Sequence, residues 1–137
     1  MFRPSSVAPA TSRVPTHRET LFLESLGARE NDALERLAAA TGGRSLCDLV
    51  GSSGPVPAVK YHEGAAAALA EARRAIRRLP AFPGAGALPG HDNVIRLAVQ
   101  DVRARWETQA QTPGRTGRSW VGYFAGGLDA LATLLDE

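Results

Sequence analysis

Arg73, Arg74, Arg77 and Arg78 place four guanidinium groups within two turns of a helix, with Glu71 the one acid close by in the chain. A guanidinium is planar, permanently charged and able to grip phosphate oxygens in pairs. Arg115 and Arg118 form a second basic group in a glycine-containing segment. If the fold gathers both groups, they make a face that tracks the backbone of RNA or DNA, and these six arginines are the candidate nucleic-acid-binding residues. The competing reading is a solvated face paired with acids of the first helix, such as Glu24, Glu30 and Glu35.

The three histidines are His17, His62 and His91. Two precede an acid, as His62-Glu63 and His91-Asp92, and such pairs can move a proton or hold a metal. Both pairs stand where helices are expected to start, and an acid is favoured there by the helix dipole. No His-Glu-x-x-His spacing occurs, so no metal ligand is nominated. Gly84-x-Gly86 follows no strand and leads to no Gly-Lys-Ser/Thr, so it is neither a dinucleotide fingerprint nor a phosphate loop. Ser53 and Ser119 lack the strand–turn–helix setting of a nucleophile elbow. No cofactor is implied, and the one enzyme reading left is a dispersed site around His62 or His91.

The elements that would position these residues are helices. After residues 1–15, read as a disordered arm rich in Pro, Ser and Thr, Thr16 and Glu19 have the spacing of a capping box. Phe22, Leu23, Leu26, Ala33, Leu34 and Leu37 then share one helical arc, up to Gly42-Gly43. A break near 27–30 is the alternative. Residues 45–50 read as a short helix and 51–57 as a loop. A helix over 59–79 carries the narrow stripe Ala65, Ala68, Leu69, Ala72, Ile76 and Leu79. Half of these residues are alanine, so this helix can approach its neighbours closely. Residues 80–90 form a Pro/Gly-rich connector. Asp92 caps a fourth helix, whose Val94, Ile95, Ala98, Val99, Val102 and Trp106 face one way.

The last helix, expected from a Ser119 cap to Leu135, has the widest apolar face. Trp120, Val121, Tyr123, Phe124, Leu128, Leu131, Leu134 and Leu135 cover about half of its circumference, more than the roughly 100° a surface helix needs. It is either the central helix of the bundle or also a contact for another chain. In the second case Trp120, Tyr123, Phe124, Leu128, Leu131 and Leu134 form the interface.

No alternating β-branched run appears, so the fold class is all-α: one domain over 16–137, a compact bundle of four to five helices. The 137 residues are 44% apolar and 22% charged, which suits one ordinary core. Lys60 is the sole lysine among sixteen basic residues, a bias that fits GC-rich coding. The net charge of +2 is too small to imply a nucleic-acid partner by itself. Cys47 stands alone, which excludes an internal disulfide and fits a cytoplasmic setting. No apolar stretch approaches the ~20 residues of a membrane span. The pattern predicts a non-catalytic helical interaction or adaptor protein, or a small subunit of a larger assembly, whose partner is itself or that assembly. The alternative is a helical subunit that binds RNA or DNA through the arginines.

Overall fold

In a computed structural model, the protein is described over residues 17–42, 56–79, 91–115 and 117–136. Those residues form four helices and no strand: α1 (His17–Thr41), α2 (Val56–Arg77), α3 (His91–Ala110) and α4 (Arg118–Leu135). The arm, Thr16 of the capping box, the 45–50 helix with Cys47, and the 80–90 connector lie outside the described residues.

Helix α1 is continuous, with no break at 27–30. Gly42, at φ +61, ends it in the left-handed conformation that glycine adopts at little cost. Its apolar arc is only partly used. Leu26 and Ala33 are buried and Phe22 and Leu23 pack on the core, but Leu34 is exposed. Leu34 is rotated 100° from Ala33, which turns it off the buried stripe.

Helix α2 begins at Val56, three residues before the predicted start, so Val56 and Pro57 belong to its first turn and not to the loop. Proline fits there because a first-turn N–H has no helical partner to lose. The predicted stripe is the real one: Ala65, Ala68, Leu69, Ala72 and Ile76 are all buried. Helix α3 buries Ile95, Val99, Val102 and Trp106 in the same way. It starts at His91, so Asp92 lies inside the first turn and not at the expected cap position.

Helix α4 also starts early. Gly117, with extended backbone angles, is its N-cap, and no side chain caps it, so Ser119 lies inside the helix.

Helix direction follows from the contacts. A Cβ on Gly64 would lie 1.9 Å from the carbonyl oxygen of Tyr123, and one on Gly126 would lie 1.8 Å from that of Tyr61. Helices α2 and α4 therefore run antiparallel, backbone against backbone, with a glycine from each at the crossing. Arg96 of α3 donates to the Leu135 carbonyl, while Trp106 lies against Gly127, so α3 is antiparallel to α4 as well. The first turns of α1, the start of α3 and the end of α4 meet around one pocket. Helices α1, α2 and α3 thus point one way and α4 runs back between them. Phe124, Leu131 and Leu134 of α4 are consequently buried in the molecule's own core.

Candidate interaction surface

The antiparallel packing sets the C-terminal ends of α2 and α3 beside the N-terminal end of α4. Both predicted arginine groups belong to this end of the bundle, together with the aromatic residues of α4. The side chain of Arg118 lies outside the described residues.

The arginines divide. Arg73 turns onto α1, where its Nε donates to Glu30 Oε1 at 2.9 Å and its Nη2 to Glu30 Oε2 at 3.1 Å. That carboxylate holds the Arg73 guanidinium above its usual basicity, through the hydrogen bonds first and the charge second. Arg73 thus follows the competing reading, with a predicted acid as partner. Arg74, Arg77 and Arg78 are exposed and form no ion pair among the described residues. Three other arginines have acid partners: Arg36 with Asp32, Arg103 with Glu107 and Arg105 with Asp101 and Glu71.

The aromatic residues form one cluster. Trp106 is buried, stacked on Tyr123 at 5.2 Å and edge-on to Phe124 at 5.7 Å. Its indole N–H donates to Glu71 Oε1 at 3.0 Å. Burial pushes the Tyr123 phenol above its ordinary pKa of 10.0. Trp120 stacks on Phe124 at 5.7 Å, and the Arg115 guanidinium lies 5.0 Å from the centre of its ring. Such a cation over an indole face is a favourable contact.

The structure brings only part of the predicted interface to the surface. Phe124, Leu131 and Leu134 are buried, and Tyr123 and Leu128 are half-buried against the core. Trp120 remains 39% exposed and its neighbour Val121 59% exposed. Val121 shares the helical face of Leu128, seven residues on, but lies in the first turn of α4. Trp120 is uncovered because it lies in the first turn of α4, where the helix has just begun.

Of the two histidine pairs, only His62-Glu63 has described side chains. Glu63 is held by Lys60 at 2.9 Å, and the side chains of His91 and Asp92 lie outside the described residues. Among the described residues no group of three His, Cys, Asp or Glu side chains is arranged to hold a metal, and no helix is long and apolar enough to cross a membrane.

A second polar group was not read from the sequence. Tyr61 of α2 donates its phenol proton to Asp129 Oδ2 of α4 at 2.6 Å. This hydrogen bond is the main cause that raises the Tyr61 pKa above 10.0, with burial next. Asp129 is the one charged residue between Ser119 and Leu135, which is a visible signal. Its partner, 68 residues away, is not. His62 sits edge-on to the Tyr61 ring at 5.6 Å. These residues line a groove of about 550 Å³ with α1.

Compared with protein-family models, curated proteins and solved structures, the chain finds no match in any of the three.

Proposed function

We propose that this chain is a non-catalytic helical interaction protein that associates through the N-terminal end of α4. The observation that carries this reading is the exposure of Val121 and Trp120, side by side on a helix whose other large apolar residues are buried or half-buried. An exposed tryptophan with an arginine over its ring has the composition of an interface centre, where Trp, Tyr and Arg are enriched. A second copy of the chain is the simplest partner, because two-fold pairing sets the same patch against itself and closes. The test is the association state of the wild type against a Val121→Glu variant. Wild type self-associates; the variant stays monomeric with unchanged thermal stability.

A second reading rests on a different observation. Arg74 and Arg77 of α2, and Arg78 just after it, have no acid partners among the described residues, whereas Arg36, Arg73, Arg103 and Arg105 all have them. Three such cations suit a phosphate backbone. The bland alternative is that Arg74 and Arg77 simply complement the C-terminal end of the α2 dipole. Fluorescence anisotropy with labelled single-stranded RNA and duplex DNA, at about 50 and about 200 mM salt, decides between them. Binding that weakens steeply with salt and is lost in Arg74→Glu/Arg77→Glu/Arg78→Glu supports the backbone reading. No binding at the lower salt assigns these arginines to the helix end alone.

A further inference from the structure

We infer that the end of the bundle where α2 finishes and α4 starts docks on the surface of an anionic lipid bilayer. This rests on the reading of the α4 start as a contact surface, and adds to it the charge around that patch. Between Glu71 and Asp92, and again between Glu107 and Asp129, the chain has no acid, yet these two stretches hold six arginines. The other ten basic residues are outnumbered by fourteen acids. Positive charge is therefore concentrated at one end of the molecule, a distribution that turns this end toward an anionic surface.

Helical spacing joins the arginines to the apolar patch. Glu71 accepts from the Trp106 indole, Trp106 stacks on Tyr123, and Tyr123 meets Trp120 edge-on at 5.7 Å. Arg74 and Arg78 stand three and seven residues beyond Glu71, so they follow it on the same face of α2 toward the end of the bundle. The spacing holds as far as Arg78, whose N–H still donates to the Arg74 carbonyl at 3.1 Å. Arg77 lies four residues beyond Arg73 and so on the side that faces α1. All three are exposed, and so is Arg115 beside Trp120. An indole among basic residues suits the headgroup level of a bilayer, and an exposed valine suits the hydrocarbon just below it. A phosphate backbone leaves Val121 without a partner, and the Trp120 ring on which a base would stack already carries Phe124 and Arg115. A second copy covers Val121 but brings further arginines, not their counter-charge. An anionic bilayer answers both the arginines and the apolar patch.

The test uses the full chain and phosphatidylcholine vesicles with or without phosphatidylserine, read by flotation and by tryptophan emission. The chain is expected to float only with vesicles that contain phosphatidylserine, and less so as salt rises, because headgroup attraction is screened. Emission shifts to the blue on binding, and Trp120→Phe removes the shift, since the remaining Trp106 is already buried. Arg74→Ala/Arg77→Ala/Arg78→Ala weakens binding about a hundredfold, at about fivefold for each basic residue near the surface. Val121→Glu abolishes binding with every arginine in place. Both variants change exposed side chains and keep the helical circular dichroism of the wild type. Failure to float with phosphatidylserine vesicles overturns the inference. So does flotation that Val121→Glu leaves intact, or a chain that binds labelled RNA and not the vesicles, which would give this end to nucleic acid. Sedimentation without lipid reports the dimer separately: a chain that stays monomeric and binds these vesicles through Val121 keeps this inference and loses the dimer.

Discussion

At the scale of single residues, glycine has opposite meanings at different places in this chain. Gly126 and Gly64 sit where two helix backbones touch, with less than 2 Å between an added Cβ and a carbonyl oxygen. Gly27, in the middle of α1, has nothing within 4 Å of the same atom. Gly126→Ala is therefore expected to lose about 1–3 kcal/mol by overpacking, even after the helix gain of up to about 1 kcal/mol. Gly27→Ala is expected to gain about 0.5–1 kcal/mol. Urea denaturation of the two variants checks both signs. Glu71 makes another residue-scale case. It is the acceptor for the buried Trp106 indole and also binds Arg105. Glu71→Ala strands a buried N–H and should cost about 1–3 kcal/mol, whereas Glu71→Gln keeps an acceptor and should cost less. The same denaturation measurement separates them.

At the scale of elements, the helical stripes were legible because burial repeats with the helix period. Ala65, Ala68, Leu69, Ala72 and Ile76 of α2, and Ile95, Val99, Val102 and Trp106 of α3, could be listed in advance as core. The alanine content of α2 also announced a close approach. Its site could not be read, because it depends on Gly126 meeting Tyr61 across the bundle. Helix starts moved by one to three residues, since capping side chains compete with what packing demands of the first turn. The width of the α4 face left two readings open, a central helix or an interface. The structure uses most of that face inside the molecule, with Leu131 and Leu134 buried. Leu131→Asp is accordingly expected to unfold the domain, because it buries an unpaired charge at a cost of several kcal/mol. Circular dichroism at low temperature checks this directly; a native helical spectrum would contradict the assigned packing of α4.

At the scale of the whole molecule, direction of packing decides which surface features meet. Four helices of this composition could alternate up and down, and then the two arginine groups would fall elsewhere. Three helices pointing one way against α4 bring the end of α2 and the start of α4 together, so Arg74, Arg77, Arg78 and Arg115 share an end with Trp120. Sequence spacing carried the existence of both basic groups and named Glu30 among their possible acid partners, but not which arginine takes it, because Arg73 and Glu30 are 43 residues apart. The same limit hid the groove, whose Tyr61 and Asp129 come together only when α2 and α4 cross.

The apolar patch at the start of α4 is tested most directly by sedimentation velocity of the full chain across micromolar to millimolar concentrations, beside Val121→Glu. The structure predicts a wild type whose sedimentation coefficient rises with concentration toward a dimer, and a variant that stays monomeric with the same melting temperature. A wild type that remains monomeric at millimolar concentration, or a variant that associates equally well, would contradict the assignment of this patch as the contact surface.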